Sequence, residues 1–176
     1  MNPKWFGDSY DIVKRFFASS LRELGYDVFI DPMFTGRWEG DEDQLYRFLG
    51  MRPVEEYQGS RSALFLDPDT GIGRAASPRH TTIEKVAELL TTHEIVFSFD
   101  QSFSRGSVSL PQMMAKLESL NESDAVGFYF DSHARFLFVA QQAERIESLR
   151  AHLGSLGLPN SRFVSLQGSF IDWHSS

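Results

Sequence analysis

Three short apolar runs, each closing on an aspartate, constrain this fold most: Tyr26-Asp27-Val28-Phe29-Ile30-Asp31, Ala63-Leu64-Phe65-Leu66-Asp67 and Glu94 to Asp100. Each is strand length, and continuous apolar strands need cover on both faces of their sheet. Helix-length segments separate them. Asp8 caps a first helix reaching Leu24, with Ile12, Val13, Phe16, Phe17, Leu21 and Leu24 at helical spacing and Gly25 as its stop. A loop from Met33 leads to a short helix at Asp43 to Leu49, then an edge-type strand at Pro53 to Tyr57. Thr81 and Glu84 form a capping box for a helix to about Thr92, with Ile83, Val86, Ala87 and Leu90 on one face. Pro111 suits the first turn of a helix to Leu120.

The last third departs from this alternation. Val126 to Phe130 and Arg135 to Ala140 are separated only by Asp131-Ser132-His133-Ala134. That connection is too short for a parallel crossover, so the two strands form an antiparallel hairpin. A helix from Gln142 to Leu156 and a strand from Arg162 to Leu166 follow. The expected fold is α/β: a three-layer, Rossmann-like sandwich in one domain over residues 1–176, mostly parallel, with a C-terminal antiparallel hairpin.

Composition agrees. Aromatic residues make up 14% of the 176, enough for a sizeable core, and no apolar run approaches a membrane span. The N-terminal stretch lacks a signal-peptide pattern, and the absence of cysteine excludes disulfides, thiolate metal sites and a cysteine nucleophile. A cytoplasmic, non-membrane protein is the expectation. A net charge of -7 argues against broad nonspecific nucleic-acid binding while leaving room for a local basic patch.

In such folds ligands bind beyond the carboxyl ends of the strands, where strand order reverses. Asp31, Asp67 and Asp100 all end strands at that edge and are expected to converge on one crevice. Gly36, Gly71, Gly73 and Gly106 lie just beyond, as do Arg37, Arg74, Arg79 and Arg105, whose guanidinium forks suit phosphate or carboxylate groups. The plain alternative is that these residues make turns and solvated ion pairs. Asp67-Pro68-Asp69 can place two carboxylates on a divalent cation or cap a turn. His80 is the one histidine near the acidic edge, whereas His133 reads as a turn residue. Trp5 and Phe6 are expected to pack. The chain has no HExxH, GxSxG, GxGxxG or Walker-type phosphate loop.

Several of these segments resemble a known family. Gly7-Asp8…Asp11-Ile12-Val13-Lys14, then Ile30-Asp31-Pro32-Met33-Phe34-Thr35-Gly36, is similar to compact class I S-adenosylmethionine-dependent methyltransferases of the ribosomal-RNA adenine type. Leu66-Asp67-Pro68-Asp69 resembles their DPPY-type motif, and the ending of helix, strand, helix and hairpin resembles theirs. The chain also resembles an uncharacterised bacterial group with a KYFGD start and an LDPDNG segment. The resemblance spans roughly residues 4 to 140. It implies S-adenosylmethionine as cofactor and a nucleic acid or nucleotide as partner. It implies that Asp31, Gly36, Asp8 and Lys14 hold the cofactor, with Asp11 beside them, and that Asp67 and Asp69 act at the methyl-transfer site. Arg74, Arg105 and Asp100 are the expected substrate contacts.

Two other readings stay open. Asp69 stands where that motif has a second proline, which suits a Mg²⁺-dependent nuclease or phosphodiesterase using the strand-end aspartates. A noncatalytic interaction module on the same fold is the third.

Overall fold

In a computed structural model, residues 1–38, 40–77, 79–103 and 109–166 are described. The chain runs α1 (Ser9–Glu23), β1 (Asp27–Asp31), α2 (Glu42–Leu49), β2 (Arg52–Pro53), β3 (Ser62–Leu66), β4 (Gly71–Ile72), β5 (His80–Thr81), α3 (Ile83–Leu89) and β6 (Ile95–Phe99). It continues through α4 (Ser109–Asn121), β7 (Val126–Phe130), β8 (Phe136–Ala140), α5 (Ala143–Ser155) and β9 (Phe163–Val164). The main sheet is seven-stranded, in the order β2-β1-β3-β6-β8-β7-β9. Strands β2, β1, β3 and β6 pair in parallel, and β8 enters antiparallel between β6 and its hairpin partner β7. The expected α/β sandwich with a closing hairpin is observed. Among the described residues no helix is long and apolar enough to cross a membrane.

Side chains alternate along a strand, so each buried strand feeds two cores. Toward α1, α2 and α5 lie Val28, Ile30, Ala63, Phe65, Ile95 and Phe97; toward α3 and α4 lie Phe29, Leu64, Leu66 and Val96. On the first face the register stacks aromatic rings strand by strand. Phe65 pairs with Phe97, Phe97 with Phe138 and Phe138 with Phe128, at centroid separations of 4.8, 5.5 and 5.1 Å. Phe17 of α1 closes edge-on over this row against Phe138 and Phe130. A one-residue slip of any strand would turn its ring to the other core, so the row locks the register.

Four local expectations need correction. Only Arg52 and Pro53 pair with β1, and a 3-10 turn at Val54–Glu56 replaces the rest of the expected Pro53–Tyr57 strand. Proline lacks the N–H to carry a ladder onward. The cap of α3 is Thr82, which accepts from Lys85 N, while Thr81 sits in β5. The last strand shortens to β9 after a 3-10 turn at Asn160–Arg162. In α1 the expected stripe is rotated: Ile12 is 60% exposed, whereas Asp11 and Lys14 are buried.

His93, just before β6, packs its ring 4.6 Å from Tyr57 and shares a 2.9 Å hydrogen bond between Nδ1 and Ser62 Oγ. Burial lowers its pKa below the ordinary 6.5. Its contribution to stability is therefore present above the unfolded-state value and lost as pH falls through the lowered folded value. Melting temperatures taken from about pH 7.5 to about pH 5 should decline, and His93→Gln should flatten the part of that slope below 6.5. An unchanged slope in the variant would assign the acid sensitivity elsewhere.

Candidate functional site

The sheet order reverses between β1 and β3, since β2 lies on one side of β1 and β3 on the other. A cleft of about 480 Å³ opens beside that reversal, beyond the carboxyl ends of β3 and β6. Its charged side chains come from two segments distant in sequence: Asp8, Asp11 and Lys14 of the first helix and its cap, and Asp67 and Asp69 beyond β3; Asn2 and Gln101 add neutral polar groups. Trp5, Tyr10 and Phe99 supply aromatic walls.

The start of α1 explains the first set. Asp8 Oδ1 accepts from Tyr10 N at 2.8 Å and from Asp11 N at 3.2 Å, capping the helix. Asp11, at the third helical position, reaches back with Oδ2 to Gly7 N at 2.8 Å. Its other oxygen, Oδ1, accepts from Lys14 Nζ at 2.9 Å, one turn along. Lys14 Nζ also donates to Asp67 Oδ2 at 2.7 Å, so one ammonium bridges two carboxylates from α1 and β3.

All three of these groups are buried. Burial works against the charge on Lys14, but Asp67 and Asp11 outweigh it and hold its pKa above the usual 10.5. Burial pushes the Asp67 carboxyl up, only partly offset by Lys14. Lys14 is therefore the firmly charged member. Asp69 is accessible by comparison. Burial opposes its charge, yet the Thr35 hydroxyl at 2.6 Å, the Met1 amino group at 3.2 Å and Arg79 at 3.5 Å hold it below the usual carboxylate range. The Met1 amino nitrogen also donates to the carbonyls of Pro32, Met33 and Asp67 at 2.9, 2.7 and 3.2 Å.

The three strand-end aspartates do not share this cleft. Asp67 follows the parity of Phe65 and points to the α1 side, whereas Asp100 follows Val96 and Ser98 to the opposite core. There Asp100 is fully buried and satisfied. Oδ1 accepts from Ile72 N and from Ser102 N and Oγ; Oδ2 accepts from Lys116 Nζ at 2.6 Å and Tyr129 OH at 2.8 Å. The Tyr129 hydroxyl is pushed well above 10 by burial and by that carboxylate. Gly71 makes the close approach possible: at φ 96° a Cβ there would collide with Asp100 Oδ1 and lie 2.6 Å from Gln101 N. Asp31 has the parity of Phe29 and accepts from Met33 N at 3.0 Å in a turn. Gly36, at φ 85°, rests beside Asn2 and Pro3 at the cleft's edge.

Arg74 and His80 line a second cavity of about 1000 Å³ on the α3–α4 face. Arg37 is exposed, and Arg105 and Gly106 lie outside the described residues. Phe6 packs on Trp38 and Phe48 as expected, but Trp5 stays 58% exposed at the mouth of the first cleft. Tyr10 was not legible as a site residue. Its spacing of four from Lys14 was the available signal, because it puts both on one helix face. His133 does occupy the hairpin tip and also stacks on Tyr10, with Nε2 2.9 Å from the Tyr10 hydroxyl.

No protein-family model, curated protein or solved structure matches the chain.

Removing one partner of a buried ion pair leaves an uncompensated charge. Lys14→Met should therefore cost about 3–5 kcal/mol of stability, read as a lower denaturation midpoint. Lys14→Met combined with Asp67→Asn should recover part of that loss. If the single variant is as stable as the parent, Lys14 is not what neutralises the buried acids.

Proposed function

We propose that the protein binds S-adenosylmethionine in the first cleft and methylates an amine nitrogen of a nucleic acid or nucleotide. The observation that carries this reading is the meeting of Asp8, Asp11 and Lys14 with Asp67 and Asp69 beyond the carboxyl end of β3, one of the two strands that flank the reversal of the sheet. These are two of the three segments on which the family resemblance rests, the third, Ile30 to Gly36, lying outside the cleft's lining, and the hairpin after β6 supports the reading as well.

The cofactor's chemistry fits the donor set. Four carboxylates face one lysine and the Met1 amino group, an acidic balance that favours a ligand carrying a sulfonium and an ammonium group. A cleft of about 480 Å³ lies in the range of small-molecule sites. When bound, the cofactor supplies an electrophilic methyl group that is displaced in line from sulfur.

The chain's own residues then orient the reactants. Asp8 and Asp11 are acceptors for cationic and hydroxyl groups of the cofactor. Lys14 restrains Asp67, whose remaining carboxylate oxygen accepts from the N–H of the attacking amine, as does Asp69. Trp5 and Tyr10 present flat surfaces at the mouth, where an extruded base stacks. The metal reading fits less well. The Lys14 ammonium already sits between Asp11 and Asp67, and among the described residues no group of three or more His, Asp or Glu is arranged to hold a metal ion.

Thermal melts with S-adenosylmethionine, S-adenosylhomocysteine and Mg²⁺ test the proposal. At about 100 times its dissociation constant the cofactor should add roughly 2.7 kcal/mol. Asp8→Asn keeps an equally good helix cap while removing the charge, so it should melt like the parent alone and respond less to S-adenosylmethionine. A shift with Mg²⁺ alone, or none with either sulfur ligand, would overturn the assignment.

A further inference from the structure

The second cavity is lined in part by the same two loops as the first, on the other face of the sheet. Two loops divide them. Pro68 and Asp69 face the first cleft, while Ile72, Gly73 and Arg74 of the same loop face the second; Gln101 faces the first and Ser102 the second.

The second cavity differs in chemistry. Lys116 reaches it with an ammonium held at 2.6 Å by Asp100 Oδ2 and 2.7 Å by Ser102 Oγ. Two of its three N–H donors are so engaged, and the ammonium also lies 4.7 Å from the centroid of the Phe103 ring. Arg74 is exposed on another wall and makes no ion pair among the described residues. His80 is aligned by Thr70 Oγ1, 2.7 Å from its Nδ1, and Ser119 adds a hydroxyl. Ile72 and Ile83 form an apolar floor. One carboxylate, Glu84, also lines the cavity; hydrogen bonds to its own backbone N–H and to Thr82 keep it ionised, its pKa lowered.

We propose that this cavity is an anion site that takes the phosphate group of the acceptor, a nucleotide or a nucleic-acid strand whose base enters the first cleft. It rests on the methyltransferase reading only for what occupies that first cleft. Lys116, pre-positioned on buried Asp100, and the Arg74 fork bind phosphate oxygens from two sides, and the cavity's about 1000 Å³ admits a nucleotide unit rather than an ion alone.

Binding is measured without cofactor, so its failure and the failure of cofactor binding are separate results. A short fluorescent oligothymidylate is followed by anisotropy at low salt, with adenosine monophosphate and inorganic phosphate as competitors. Arg74→Glu should weaken oligonucleotide binding roughly tenfold or more and flatten its salt dependence. Ala115→Trp, at an exposed lining position, should block binding by filling the cavity, and Glu84→Gln should tighten it. Competition by the monophosphate assigns a free-nucleotide ligand, and resistance to it a strand; either supports the site. Oligonucleotide affinity unchanged in both Arg74→Glu and Ala115→Trp, or no binding of any phosphate-bearing probe, would overturn it.

Discussion

Lys14 ties the molecule together at the point where its cleft opens. The ammonium, 53 residues from Asp67 in the chain, joins Asp11 of α1 to that carboxylate beyond β3, and does so out of water. An isolated buried carboxylate costs several kcal/mol, so neither acid is tolerable there without the lysine. The geometry of α1 follows from this. To turn Asp11 and Lys14 inward the helix leaves Ile12 in solvent, giving up burial of a large apolar side chain. The same face carries Phe17, Ala18 and Leu21 into the core.

The rest of the scaffold is built by two-sided burial. The row Phe65–Phe97–Phe138–Phe128 crosses four strands on one face, while Leu64, Val96 and Val139 fill the other. That register also decides which way each strand-end acid points. Asp67 and Asp100 leave adjacent strands at nearly the same height, yet one has the parity of Phe65 and the other of Val96. They consequently serve different neighbourhoods: Asp67 with Lys14 in the acidic cleft, Asp100 with Lys116, Ser102 and Tyr129 beneath the basic one.

An acidic and a basic cavity on either side of shared loops is an economical arrangement for a ligand with unlike ends. The buried carboxylate of Asp100 has two structural tasks at once. It fastens the Gly71–Ile72 turn through Ile72 N, and it orients Lys116 toward the cavity. Gly71 is indispensable to that arrangement, because any side chain there would occupy the space of the carboxylate.

The order of elements, the covered parallel sheet and the closing hairpin were legible in the sequence, because short continuous apolar runs and a four-residue connection admit few other solutions. So was Asp8 as a helix cap. What the chain's pattern did not carry was rotation and reach. Helical spacing named Ile12 and Phe16 as core residues, whereas the packed helix buries Phe17, Ala18 and Leu21 together with Asp11 and Lys14 and leaves those two exposed. Parity along β3 and β6 was in principle countable, but which parity meets α1 depends on how the sheet is stacked. The pairing of a side chain from the first helix with one beyond the third strand is a property of packing, since it depends on distances in space that no spacing in sequence encodes.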